Sequence, residues 1–336
     1  GDQETYTPLA QTSDTWYKRS VTALYNTKSC TEETNSVKIT VLNLNPGSIS
    51  GTQTICNNSI PSSFGNVAAS GDGTFGYQWQ KKTVSSPIYA DIAGATSAAY
   101  SETAALTEDT WYKRIVTATL SLPLPGGSCT EETNEIVVTV VNFDPGEIED
   151  DQTICEGVIP GAITELTAAS GDGGFTYQWQ YSLVSGGPYT NISGATGVSY
   201  TPTTAHTADR WYVRRVTSTL NGTQCVDCTN EVNISVNNLT PGTISGAQTI
   251  CEGVVPPGVL TSAGITADGD VTYQWQYSTA GSTGPWTDVP SGGTGATYTP
   301  DVALTVDTWY ILQVTSTLNT DPCTEETNAI RVTVIN

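Results

Sequence analysis

Apolar and polar residues alternate with a period of two through most of this chain, and no segment shows the three-to-four spacing of an amphipathic helix. In "FTYQWQY", Phe175, Tyr177, Trp179 and Tyr181 fall on one face of a strand and Thr176, Gln178 and Gln180 on the other, so the aromatic face is predicted to point inward. In "DTWYKRIVTATL", Tyr112, Arg114, Val116 and Ala118 share one side, opposite Trp111, Lys113, Ile115 and Thr117. The Tyr112 side is taken as the core side, because its counterparts Tyr212 and Val216, and Tyr310 and Val314, stay aromatic or apolar. Arg114 corresponds to Leu312 in that register, which predicts a guanidinium with a packed stem and a head reaching the sheet edge. "NEIVVTVV" supplies a further strand, and clusters of Gly, Pro, Asn and Asp separate all these runs.

The alternation recurs in step. "QTIC" opens at Gln53, Gln152 and Gln248, and "YQWQ" at Tyr77, Tyr177 and Tyr273. "WY" opens at Trp16, Trp111, Trp211 and Trp309, and "TN" at Thr34, Thr133, Thr229 and Thr327, with intervals of 95 to 100 residues. This divides the chain into a partial repeat at 1–44, the C-terminal half of a unit with strands E to G, and repeats at 45–143, 144–239 and 240–336. A unit of that length buries its own core, which makes each repeat a domain and not a solenoid turn. Tyr77, Trp79, Tyr177, Trp179, Tyr273 and Trp275, with Tyr112, Tyr212 and Tyr310, are the predicted core aromatics.

A strand with a central Trp, then one beginning Asp-x-x-Tyr, a hairpin and a Val-rich strand resembles the C, F and G strands of an immunoglobulin-like sandwich. The fold class expected is all-β: tandem immunoglobulin-like β-sandwich domains in an extended rod. "QTIC" falls in strand A, "LTAAS" in B and "VSYTP" in E. The core cysteine pair of strands B and F is missing, with Arg or Leu in place of the second.

Cysteines stand instead at Cys56, Cys155 and Cys251 in "QTIC" and at Cys30, Cys129, Cys225 and Cys323 in the F–G hairpins, with Cys228 in addition. Their regularity favours disulfides over metal. One scheme closes within repeats, as Cys56–Cys129, Cys155–Cys225 and Cys251–Cys323, 70 to 73 residues apart. Another links neighbours 26 residues apart, as Cys30–Cys56, Cys129–Cys155 and Cys225–Cys251. Strand direction turns each hairpin away from the following domain, which favours the first scheme, while a hairpin reaching the preceding domain stays open. Each within-repeat closure would contribute roughly 3–4 kcal/mol.

The pattern "PGxI…QTIC…YQWQ…GAT…WY.R.VT…C…TN…VTV" covers the whole chain and resembles the Ig-like repeats of giant cell-surface adhesins of Bacteroidota, which include SprB-type gliding adhesins. The resemblance implies type IX export, an extracellular stalk or filament, and roles in adhesion or gliding motility. The joints "LNLNPGSI", "VNFDPGEI" and "NNLTPGTI" are short and stiffened by Pro, and Leu44, Phe143 and Leu239 in them are expected to be buried between neighbouring domains. A domain and its joint would advance roughly 35–45 Å.

Charge and composition narrow the alternatives. With 33 acidic against 12 basic side chains, the formal charge of −21 excludes nucleic acid and anionic lipid as partners. No run of 18 apolar residues offers a membrane insertion, and the start "GDQETYTPLA" is not a signal peptide. The only histidine, His206, lies in "TTAHTAD", where a surface turn is expected, so a Ser-His-Asp arrangement would have only His206 to draw on. Carboxylates are dispersed and not paired for glycoside hydrolysis, and Cys225-x-x-Cys228 lacks the second half of a zinc site. An enzyme is not expected. Asp72, Asp172, Asp268 and Asp270 in the B–C loops, and Asp150 and Asp151 after a joint, are candidate calcium ligands, weighed against ordinary turn chemistry. Gln78, Gln80 and Trp111 are expected to face out, where a flat Trp-Gln surface suits surface glycans or a neighbouring chain. The expected partners are therefore neighbouring repeats, self-assembled filaments or glycans. A glycan-binding module array and accessory domains of a secreted enzyme remain the alternative functions.

Overall fold

A computed structural model describes residues 4–120 and 127–335, and among them there is no helix. The chain separates into two compact units: Gly1–Asn142 with Leu220–Cys225, and Phe143–Thr219 with Val226–Asn336. The first unit holds residues 1–44, one sandwich and the tip of the next repeat's hairpin. The second holds the other two sandwiches.

In the first unit, the sandwich after residue 44 has a main sheet in which Ala90–Asp91, Thr74–Thr83, Thr110–Thr119, Ile136–Val141 and Gln53–Cys56 lie side by side in that order. In immunoglobulin terms these are C′, C, F, G and A′. "QTIC" runs parallel to G, with Gln53 beside Val138 and Cys56 beside Val141. The facing layer pairs Ser48–Ser50, strand A, with Gly65–Val67, strand B. Both sandwiches of the second unit repeat this order, and in the last one Thr297–Tyr298 joins the facing layer as strand E. The A strand is thus broken into two, one half in each sheet, at a glycine with φ of +119° in the first case, Gly51.

Alternation places the core as the pattern requires. Trp79, Trp179 and Trp275 are fully buried, and Tyr112, Tyr212 and Tyr310 nearly so. Around Trp79 pack Ile49, Phe64, Leu106, Ile136, Val138 and Val140 from both sheets. Tyr77, Tyr177 and Tyr273 are only half-buried, because they lie one step nearer the sheet end. Tyr77 and Tyr177 cover the guanidinium groups of Arg114 and Arg214, 5.0 and 4.7 Å from their rings.

The repeated motifs outside the core hold strand ends. "TN" sits where the return strand Ser128–Glu132 stops and G begins. There Thr133 Oγ1 accepts from the Arg114 amide, while Asn134 accepts from the Ile49 amide at 2.9 Å and donates to the Ile49 carbonyl at 2.8 Å. Thr229 and Asn230, and Thr327 and Asn328, do the same. The Asp of "DTW" or "DRW" accepts from an amide of the G segment in every repeat: Asp14 from Val41, Asp109 from Val140, Asp209 from Val236 and Asp307 from Val334, at 2.7–2.9 Å.

Several expectations are corrected here. Arg114 and Arg214 do not release their heads to the edge but are wholly buried. Arg114 donates to the carbonyls of Ala98, Pro46 and Val67 and to Asn66 Oδ1, and Arg214 to Glu165 Oε2 and the carbonyls of Val198 and Pro145. A guanidinium satisfied on several sides can stay charged inside, and here it pins the two sheets where an immunoglobulin domain has its cystine. Gln78 and Gln80 are not free to meet a partner: Gln78 donates to the Trp79 and Ile92 carbonyls at 2.8 and 2.9 Å, and Gln80 to Asp91 at 2.7 Å, fastening C′ to C. Trp111 is half-buried, with the Lys82 ammonium 5.5 Å from its ring. His206 is not on the surface but fully buried, with Nε2 2.7 Å from the Tyr212 hydroxyl. Its place is that of Leu106 and Leu304 in the other repeats, which are held by the same backbone bonds to the strand-A′ turn. The joint residues belong to the repeat that follows: Phe143 lies 6.0 Å from Phe175, Leu239 packs on the core of the last sandwich, and Leu44 pairs with Gly71.

Candidate functional site

The feature with most chemical consequence is the pair of disulfides, which follow neither scheme drawn from spacing. They are Cys56–Cys225 and Cys155–Cys323, separated by 169 and 168 residues. Cys56–Cys129, Cys155–Cys225 and Cys251–Cys323 do not form, and Cys30, Cys129, Cys228 and Cys251 are free and exposed. The reason lies in strand direction. Cys56 stands beside Val141 at the end of G, whereas Cys129 stands beside Ala118 at the far end of F. Because F and G are antiparallel, the two cysteines of one repeat lie at opposite ends of a single sheet, roughly 35 Å apart at the rise of a strand. The hairpin instead returns to the joint before its own repeat, where the A′ strand of the preceding repeat also ends.

Polar contacts set each bridge in place. In the first unit Asn221 Nδ2 donates to Thr54 Oγ1 at 3.2 Å, and Thr223 Oγ1 to the Thr54 carbonyl at 3.1 Å. In the second, Asn319 Nδ2 donates to Thr153 Oγ1 at 3.2 Å. Asn221 and Asn319 open the hairpin turns with φ of 50° and 49°, followed by Gly222 and Thr320 also at positive φ, as a two-residue type I′ turn demands. The hairpin cysteines are 3 and 4 % exposed. Beside the second bridge, Ser316 Oγ donates to Asn237 Oδ1 at 2.6 Å and Asn237 Nδ2 to the Ser316 carbonyl at 2.9 Å, all fully buried. Each staple is therefore a covalent bond inside a specific polar socket, built from Thr-x-Cys on A′ and Asn followed four residues later by Cys on the hairpin.

Four of the six candidate calcium ligands accept backbone amides. Asp72 accepts from the Asn43 amide and side chain at 3.0 and 3.1 Å, and Asp268 from those of Asn238 at 3.0 and 2.7 Å. Asp150 accepts from the Thr164 amide and hydroxyl, and Asp151 from the Asn233 amide. Asp172 is engaged as well, and Asp270 is exposed at the start of a C strand. Among the described residues no three His, Cys, Asp or Glu side chains come together as a metal site. Asp72, Asp150, Asp151 and Asp268 cap the backbone at joints and turns.

The F-strand tyrosine hydroxyl finds a different buried partner in two repeats: Tyr112 donates to Glu102 at 3.0 Å, and Tyr212 meets His206. Burial raises Tyr212 to about 12, and burial lowers His206, which is held neutral. Burial opposes ionisation of Glu102, but its bonds from Lys81 and the Ala104 amide outweigh that and hold it below the usual carboxylate range. His206 sits inside its core, whereas Glu102, itself buried, borders an open hollow of about 430 Å³ together with Lys81, Tyr100 and Ser101.

Sheet order, the A′–G parallel pair and the buried Trp define tandem immunoglobulin-like sandwich domains. The chain belongs to the family described as "Domain of unknown function (DUF8696)", whose profile matches residues 45–142, 144–238 and 240–336. No curated protein is significantly similar in sequence. Solved structures with a similar arrangement include the three N-terminal domains of the bacteriophage RB49 Highly Immunogenic Outer Capsid protein, at 13 % identity, covering 86 % of this chain and all of that one, with a TM-score of 0.38. The titin I-band fragment I67–I69 is 9 % identical over 88 % of this chain and 98 % of its own, at 0.37. The N-terminal eight Ig domains of Down Syndrome Cell Adhesion Molecule are 12 % identical, covering 96 % of this chain and 40 % of theirs, at 0.37.

Proposed function

We propose that this chain is a non-catalytic structural segment of a bacterial cell-surface stalk or filament that serves adhesion or gliding motility. The observation that carries the reading is the pair of staples, each fixing the A′ strand of one repeat to the hairpin of the next. Covalent cross-links that tie successive domains suit a part that transmits load, and they form in oxidising surroundings outside the cytosol. The buried His206 and Glu102 and the backbone-capping carboxylates supply strand anchoring in place of an exposed acid-base pair. The polar joints and repeated sockets fit an extended array better than independent catalytic accessories. Immunogold labelling of intact source cells with antibody to these repeats tests the location, and deletion of the repeats tests the role. Surface label and impaired attachment or gliding are expected; label confined to the cytoplasm would reject the reading. Small-angle scattering of the purified oxidised chain should give a maximum dimension well beyond that of a compact particle of equal mass.

A further inference from the structure

The first full sandwich carries charge at a place where the two later ones carry none. Lys81 and Glu102 form an ion pair of 2.8 Å there, with the Glu102 side chain 4 % exposed and the Lys81 side chain 35 %. The same places hold Tyr181 and Pro202 in the middle repeat, and Tyr277 and Pro300 in the last. Both tyrosines pack on their cores and both prolines are buried, so the fold closes this spot with apolar contact. A buried ion pair is at best about even with well-packed apolar groups, which leaves the exchange without a stability reason. A lysine stem is also thinner than the ring it replaces, and beside it opens the hollow of about 430 Å³ that Tyr100 and Ser101 border.

The polar groups of the hollow select among ligand chemistries. Glu102 is saturated: Oε1 accepts from the Thr103 and Ala104 amides at 3.1 and 3.2 Å, and Oε2 from Tyr112 at 3.0 Å and Lys81 at 2.8 Å. The Lys81 ammonium has three donors, uses one on Glu102 and has no other partner among the described residues. An anion drawn to Lys81 would sit against the Glu102 charge, and a cation would sit against Lys81. An apolar ligand would cover the remaining Lys81 donors without pairing them. A neutral polyhydroxy ring avoids all three penalties. Its oxygens accept from Lys81, its hydroxyls donate to Ser101 Oγ, whose own proton goes to Ser63, and its C–H face suits the half-buried Tyr100. We infer that this hollow binds a neutral saccharide of about one or two rings through Lys81, Ser101 and Tyr100. The site goes beyond the stalk reading and does not depend on it, since it gives one repeat a recognition role that the other two, closed by Tyr and Pro, do not share.

The test titrates the intact, isotope-labelled 336-residue chain with glucose, galactose, mannose, N-acetylglucosamine, lactose and cellobiose, and follows the amide signals of 93–103 by NMR. At least one of these sugars should shift them saturably while the signals of 193–203 and 291–301 stay in place. Ala99→Leu, which fills the exposed rim and leaves the ion pair intact, should weaken binding at least about tenfold. Lys81→Tyr with Glu102→Pro, the residues of the later repeats, should abolish it. Unchanged amide signals in the other repeats and an intact Cys56–Cys225 peptide show that each variant folds. Acetate and methylammonium, as charged probes, should give no saturable shift at 93–103. No saturable shift with any of the sugars, a shift that survives both variants, or tighter binding of a charged probe would overturn the inference, while labelling of intact cells decides the stalk reading separately.

Discussion

Replacing Arg214 by Leu removes a charge buried between the sheets of the middle sandwich. The guanidinium is fully buried, holds Glu165 at 2.5 Å and donates to the carbonyls of Val198 and Pro145 at 2.8 and 3.2 Å. Breaking a buried pair costs about 3–5 kcal/mol, and because the Glu165 side chain keeps 23 % of its exposure the estimate falls to about 2–4 kcal/mol. The last repeat contains the compensated version. Leu312 fills the Arg position, and Ser262, at the place of Glu165, donates to the Ala296 carbonyl at 2.8 Å, the counterpart of Val198. The double variant Arg214→Leu with Glu165→Ser should therefore recover to within about 1 kcal/mol of wild type, a gain of about 1–3 kcal/mol over Arg214→Leu alone. Hydrogen exchange of the amides in 210–219, followed through a urea titration of the full chain, reads this repeat by itself. A single variant as protected as wild type, or a double variant less protected than the single, would refute the argument that the guanidinium replaces the missing cystine.

Other outcomes follow from the same geometry. Cys155→Ser opens a 168-residue loop whose closure is worth at most about 5 kcal/mol, so exchange in Asp321–Glu326 should accelerate roughly tenfold or more while exchange around Trp275 changes little. His206 has its folded pKa depressed, so the unfolded chain binds more protons below about pH 6.5; stability of the middle repeat is full above that value and falls as pH is lowered through it. His206→Leu, the residue of the other repeats, should flatten that slope in hydrogen exchange measured between pH 7 and 5. Chelation of calcium should leave the melting curve unchanged, since Asp72, Asp150, Asp151 and Asp268 already accept backbone amides; a downward shift would mean that they gather a cation.

The sandwich was legible because side-chain alternation around Trp79, Trp179 and Trp275 fixes the inward face regardless of what lies beyond the sheet. The site was less so. Cys56 and Cys225 sit in motifs that the repeat exposes at once, yet their pairing depends on which end of F the hairpin occupies and where A′ joins G, and neither follows from spacing. A separation of one repeat plus one hairpin was present in the numbers, but only the parallel A′–G register gives it meaning. His206 shows the opposite case. Alignment with Leu106 and Leu304 already marked it as a core position, and its polarity obscured that. For Arg114, the exchange with Leu312 signalled burial, while the carbonyls of Pro46, Val67 and Ala98 that accept its protons come from distant turns.

Because each A′ cysteine is bonded to a residue that lies 168 or 169 positions later, maturation has an imposed order. When a newly made sandwich has folded, its Cys56 or Cys155 has no correct partner until the next hairpin exists. That thiol must stay reduced, or be reversibly capped, for the time needed to make and fold one more domain. Oxidation that outruns synthesis would seal the wrong pair, so the rate at which thiols meet oxidant sets how fast such an array can be completed without error.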